Sequence, residues 1–344
     1  AHAYRLDPQQ DSDYALLPLK MSFRDGGAYA LLGPSGCGKT TMLNIISGLV
    51  SPSQGTVMFD GRDMTRATPQ QRNIAQVFQF PVIYDTMTVA QNLAFPLKNR
   101  GVPAAQIKAQ VAHTLAMLGL SDWADRKARG LTADQKQKIS LGRGLVRTDV
   151  NAVLFDEPLT VIDPALKWRL RSQLKEIHRQ FGHTMVYVTH DQTEALTFAD
   201  KVVVMYEGEI VQIGTPAELF DHPRHTFVGY FIGSPGMNLI PARAEAGRAR
   251  IGDLELPLPA GVAANGPVEL GVRPEHVALG REGLPFTLER VEDVGRARLV
   301  RGRIAGHPVT ALLAEEAEIP AEPRASFREG RLGVFVDSRR VEAA

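Results

Sequence analysis

Gly33, Pro34, Ser35, Gly36, Cys37, Gly38, Lys39 and Thr40 read G-x-x-x-x-G-K-[ST] in full, with Thr41 next in the chain. Such a loop suits polyphosphate. Its glycines let backbone N–H groups turn inward around phosphate oxygens, the helix start that follows adds partial positive charge, and Lys39 reaches the terminal phosphates. Thr40 is placed to set its hydroxyl on Mg²⁺. Further along, Val153-Leu-Phe-Asp-Glu157 ends an apolar run in two adjacent carboxylates. Asp156 would hold the metal or its waters, and Glu157 would activate an attacking water. A lone glycine-rich turn can fit the pattern by chance, and a lone Asp-Glu can simply solvate a strand end. Together, in a strand–loop–helix context, they point to binding and hydrolysis of a nucleoside triphosphate.

These residues need rigid elements to hold them. Ala28–Leu32, Val57–Phe59, Ala152–Phe155, Met185–Val188 and Val202–Met205 are short apolar runs of the kind that form buried strands. After Asp163 and Pro164, Leu166, Leu170, Leu174, Ile177 and Phe181 recur at helical spacing until Gly182 stops the helix. Strands alternating with such helices predict an α/β fold with a parallel sheet. Strand runs vanish between Gln79 and Thr148, where Ile107, Val111, Leu115 and Leu118 mark a helix in an inserted helical subdomain of about 80–148. Ser234–Asn238 reads as a linker. Short segments such as Val268–Val272, Phe286–Glu289 and Leu332–Val336 then predict an all-β domain over 234–344, after an ATPase domain over 1–233.

The length of 344 residues suits about two domains, and 44% hydrophobic residues are ample for buried cores. Lys plus Arg (39) against Asp plus Glu (38) gives a net charge of +1, which argues against nucleic acid as a partner. No apolar run approaches the roughly 18–20 residues of a membrane-spanning helix. The single cysteine, Cys37, excludes an internal disulfide and fits a reducing compartment. The opening Ala-His-Ala-Tyr has neither an initiator Met nor a signal-peptide stretch, so the sequence is expected to begin inside a longer product.

Further stations follow in order. Val77-Phe-Gln79 comes after a short strand, Leu131-Thr-Ala-Asp-Gln135 precedes the acidic strand, Asp163 follows it, and Tyr187-Val-Thr-His190 ends the next strand. In this order the chain resembles the ATPase subunit of an ABC transporter. The likeness is greatest to importer subunits for sugars, polyols and glycerol phosphates, which carry a TOBE/OB-like regulatory domain. Gly271-Val-Arg-Pro-Glu275 is similar to part of that domain. The resemblance implies ATP and Mg²⁺, with Glu157 and His190 catalytic and Gln79 at the metal and the membrane subunit. It also implies Asp163 at a dimer interface and an aromatic stacked on adenine, Tyr4 or Tyr14. The implied partners are a second ATPase subunit, two transmembrane permease subunits and, indirectly, an extracytoplasmic solute-binding protein. The implied location is peripheral, on the cytoplasmic face of the inner membrane.

One station departs from the family. The signature loop usually reads Leu-Ser-Gly-Gly-Gln; here Thr132, Ala133, Asp134 and Gln135 follow Leu131. Thr132 keeps a hydroxyl, Ala133 adds a Cβ, and Asp134 brings a negative charge toward a phosphate. At about 4 Å and an effective dielectric near 20, that repulsion is roughly 4 kcal/mol. Thr132-x-x-Gln135 is also an ordinary capping box, and Lys136 and Lys138 can offset the charge. The expectation is a heterodimer in which another ATPase chain supplies an ordinary signature; an active homodimer is the alternative. The altered signature and the phrase Gly26–Leu32 are also similar to ATPase pairs of glycerol-uptake importers. Two other classes remain: an ATPase acting on nucleic acid, which would show a basic face or two cassettes, and a regulatory subunit with little hydrolysis.

Overall fold

The computed structural model describes residues 1–160 and 162–342. The chain divides into two compact units, Ala1–Pro216 and Ala217–Ala344. The boundary expected at Gly233 lies inside the second.

The first unit is built on a six-stranded sheet. Its order is Glu209–Gly214, Lys201–Tyr206, Ala28–Leu32, Met185–Thr189, Ala152–Asp156 and Ile74–Val77. The last five run parallel; Glu209–Gly214 is an antiparallel edge. Ala28–Leu32, Ala152–Phe155 and Met185–Thr189 are buried along their whole length, which explains why they read as unbroken apolar runs rather than as alternation. Leu31, Leu43, Leu154, Val186, Val188 and Val203 share a core beneath the phosphate-loop helix, Lys39–Ser47.

One expected strand is corrected. Val57–Phe59 does not enter the parallel sheet; only Met58–Phe59 is extended, paired antiparallel with Arg62–Asp63. Asp60 and Gly61, both at positive φ, turn the chain between them, and Met58 stays 52% exposed. A two-residue turn of that kind makes a surface hairpin. The sheet's far edge is Ile74–Val77, the short strand ahead of Gln79.

Between strands Ile74–Val77 and Ala152–Asp156 lie the helices Val89–Lys98, Ala104–Met117 and Ala133–Leu145. Val89, Leu93, Leu97, Val111, Leu115, Leu118 and Ile139 give them a core of their own. Helix Pro164–Phe181 buries Leu170, Leu174 and Ile177. The side chain of Leu166 and the whole of Val161 lie outside the described residues. Helix Pro216–Asp221 leads into the second unit, where helix Thr226–Phe231 precedes strands that form one six-stranded and two three-stranded sheets. Ile240, Ile251, Leu270, Val300, Ile304, Val309 and Val334 fill its interior.

Candidate functional site: an ATP-binding edge of the sheet

The parallel register places the sequence stations along one edge. Leu32 pairs with Thr189, Asp156 with Val188, and Val77 with Phe155. The phosphate loop after Leu32, His190 after Thr189, the Asp156–Glu157 pair and Gln79 therefore all leave the carboxyl ends of adjacent strands, where open α/β sheets bind ligands.

Gly38 caps the phosphate-loop helix at φ 98°, with no side chain bonded to the helix amides. Those amides are left for an anion. Gly33 is required by space: a Cβ there would meet the Met205 carbonyl oxygen at 2.2 Å. A Cβ at Gly38 would meet the Ala15 carbonyl oxygen at 2.3 Å. Around Gly36 space is open, and Ser35 and Gly36 are exposed while Pro34 is half-buried. Lys39 is buried, its ammonium donating to the carbonyls of Gly33 and Pro34, both at 2.8 Å. Burial pushes the Cys37 thiol up, against an opposing pull from Lys39. The far end of this helix rests on Arg72, only 1% exposed. Its guanidinium donates to the carbonyls of Ile45, Ile46, Thr65 and Ala67. A cation at a helix C-terminus is favourable, and it fixes the axis that aims the amides.

Thr40 donates its hydroxyl to Asp156 Oδ1 at 3.2 Å. Burial raises the Asp156 carboxyl above the usual carboxylate range; the Thr40 hydrogen bond and Lys39 pull it down, and Glu157 adds to the rise. Two hard oxygen donors brought together beside a lysine fit Mg²⁺. Gln79 is half-buried just past strand Ile74–Val77.

Glu157 takes a positive φ of 45°, rare for a residue with a side chain and a form of strain often found at active sites. Its carboxylate meets His190 Nδ1 at 3.1 Å and accepts from the Thr160 hydroxyl at 3.3 Å. His190 is held from both sides. The Thr189 hydroxyl donates to the buried Glu194 carboxylate at 2.8 Å, and Asp191 caps the next helix through the amides of Thr193 and Glu194. Tyr187 also donates to Glu194, and Lys167 pairs with it at 3.4 Å. Sequence reasoning missed Glu194, Lys167 and Arg72, because no fixed spacing announces partners on different elements.

Tyr4 has an exposed ring, and its hydroxyl lies 3.2 Å from Thr41 Oγ1 beside the phosphate loop. Tyr14 is half-buried in a short strand facing Ala3. Asp163 stands ahead of helix Pro164–Phe181, its carbonyl accepting from the Lys167 amide.

Thr132, Ala133, Asp134 and Gln135 start helix Ala133–Leu145. Thr132 Oγ1 accepts from the Gln135 amide at 3.3 Å, and Gln135 Oε1 accepts from the Thr132 amide at 3.1 Å. The capping box is closed. Asp134 pairs with Lys138 at 3.7 Å, whereas Lys136 pairs with Asp85 instead.

Comparison with known proteins agrees with this geometry. The ABC transporter family matches residues 16–160, and the MalK OB fold domain matches residues 233–277. An sn-glycerol-3-phosphate import ATP-binding protein, UgpC, of Jannaschia sp. is 40% identical over 85% of this chain and 84% of its own length. The UgpC of Vibrio cholerae is 41% identical over 90% of this chain and 84% of its own length. A solved structure of cbiO1 from Clostridium perfringens, part of the ABC transporter complex cbiONQ, covers 61% of this chain and 85% of that one. It matches with a TM-score of 0.57 at 27% identity. With its phosphate cradle, paired carboxylates and β-rich second unit, the chain belongs to the family of ABC-transporter ATP-binding subunits, and its activity is ATP hydrolysis.

Proposed function

We propose that this chain powers uptake of a glycerol-phosphate, polyol or sugar solute through membrane subunits, paired with a different ATPase chain. The solute class rests on the UgpC relatives. The pairing rests on one observation: the phosphate-loop helix start is open to an anion, whereas the signature helix start carries the Asp134 carboxylate where the usual signature has glycine.

In this reading the amides of Gly33–Thr41 and the Lys39 ammonium grip the phosphates of ATP, and Tyr4 offers its ring to adenine. Thr40, Asp156 and Gln79 would hold Mg²⁺, which supplies charge neutralisation at the phosphates when bound. Glu157 orients a water and takes its proton. His190 contacts the terminal phosphate while holding the Glu157 carboxylate in place. Asp163 and the signature loop face the partner ATPase. Closure of that partner over this chain's ATP completes the site, and hydrolysis releases it.

Phe78, Phe80, Val82 and Tyr84, close to Gln79 in the chain, are exposed apolar side chains suited to docking on one of the two permease subunits. Among the described residues no helix is long and apolar enough to cross a membrane. In this reading the chain is a peripheral subunit on the cytoplasmic face, with a solute-binding protein reached only through the permease. The test is co-expression with candidate permease subunits of the same source. ATP-dependent vesicle uptake of glycerol 3-phosphate, polyol or sugar, abolished by Lys39→Ala, is the expected result. Failure to co-purify with any polytopic protein overturns the transport assignment.

A further inference from the structure

The second unit contains a small cationic cavity that ATP hydrolysis does not use. It measures about 20 Å³, against roughly 10–15 Å³ for one water, and among its lining residues are Asp221, Arg273, His276, Arg331 and Arg340. Three of these five carry a positive charge and one a negative.

Arg273 is the key. It is 4% exposed and stacked on the Phe220 ring at 3.9 Å. Nε donates to the Phe220 carbonyl at 2.7 Å, and Nη1 donates to those of Ile232 at 2.6 Å and Gly229 at 3.4 Å. Nη2 is buried and meets no partner, and so is Nδ1 of His276. A buried guanidinium nitrogen without an acceptor is costly. Three carboxylates act on the arginines from nearby, Glu275 and Asp221 on Arg273 and Glu342 on Arg340. Asp221 already pairs with Arg331 at 3.1 Å, at a partly exposed position. None of these acids bonds Nη2.

We propose that this cavity is a binding site for a small oxyanion, a single carboxylate or phosphate head group, which accepts from Arg273 Nη2 and lies between Arg331 and Arg340. Its size admits one or two oxygen atoms of such a head group and excludes a nucleotide. A bound oxyanion completes the guanidinium that ties Phe220 and helix Thr226–Phe231 together, and so stabilises the second unit by mass action. The ligand is a metabolite anion, sensed apart from ATP.

The test uses the whole chain with its phosphate loop saturated by Mg-ADP, so that the loop cannot take the probe. Inorganic phosphate, sulfate and acetate are titrated by calorimetry and by the shift in thermal midpoint. Replacing Arg273 itself would free three carbonyls and risk unfolding, so the variants are Arg340→Gln and Asp221→Asn. Expected is one saturable site per chain, weakened roughly tenfold by Arg340→Gln and tightened several-fold by Asp221→Asn. The preference between phosphate and acetate identifies the head group. Absence of saturable binding for all three probes, or binding indifferent to both variants, overturns the proposal.

Discussion

The phosphate loop and the signature loop are both helix starts, and they are built in opposite ways. Gly38 contributes no side chain to the amides of helix Lys39–Ser47, so they remain available to phosphate oxygens. Thr132 and Gln135 close on each other at helix Ala133–Leu145, and Asp134 sets a negative charge at the positive end of its dipole. Two further starts share the Thr-x-x-Gln pattern, Thr68 with Gln71 and Thr88 with Gln91, and both form the same closed box. The Ser-x-x-Gln of the usual signature fits the same box, so what sets this helix start apart is the Asp134 carboxylate. One helix start is left open to an anion; the other is capped by its own side chains and carries a carboxylate.

Breaking the open side has the largest effect. Glu157→Gln removes the proton acceptor while leaving the cradle, so turnover falls by about 10²–10⁴-fold with ATP affinity preserved. Equilibrium nucleotide binding beside single-turnover hydrolysis checks this, and lost binding would mean the base is misplaced. Repairing the sealed side comes next. Asp134→Gly removes a repulsion of roughly 4 kcal/mol at most, so hydrolysis by the lone chain rises by a decade or more. An unchanged rate would show that Lys138 already holds the carboxylate away from phosphate. Thr132→Ala costs about 1 kcal/mol of stability through the lost cap, readable in a denaturant midpoint.

The smallest effect concerns pH. Burial raises the Asp156 carboxyl, so the folded chain keeps that proton longer than the unfolded chain does. Stability is therefore lost as pH climbs from the ordinary carboxylate range through the raised value, and the loss persists at neutral pH. Asp156→Asn flattens that acidic slope and weakens Mg²⁺-dependent nucleotide binding. A slope unchanged by the substitution would remove burial of Asp156 as its cause.

Much of this was legible because local patterns carry it. The phosphate loop and acidic pair declare themselves in runs of eight and five residues, and fully buried strands read as apolar runs. The hairpin at Met58 misled because three apolar residues look alike in a buried strand and in a surface turn. Arg72 and Arg273 stayed hidden because their roles lie in long-range carbonyl oxygens, which any sequence supplies equally, and Glu194 because its hydroxyl partners follow no fixed spacing. The closed state of the Thr132 box was open in the sequence as one of two readings, and its hydrogen bonds give the geometry.

The most direct test of the asymmetry is steady-state ATP hydrolysis by the purified chain alone and mixed with a second ATPase subunit that carries an ordinary signature loop. The account predicts slow hydrolysis alone and a rise of about tenfold or more on mixing, lost with Glu157→Gln in this chain. Brisk hydrolysis by the chain alone, unchanged by the second subunit, would contradict it.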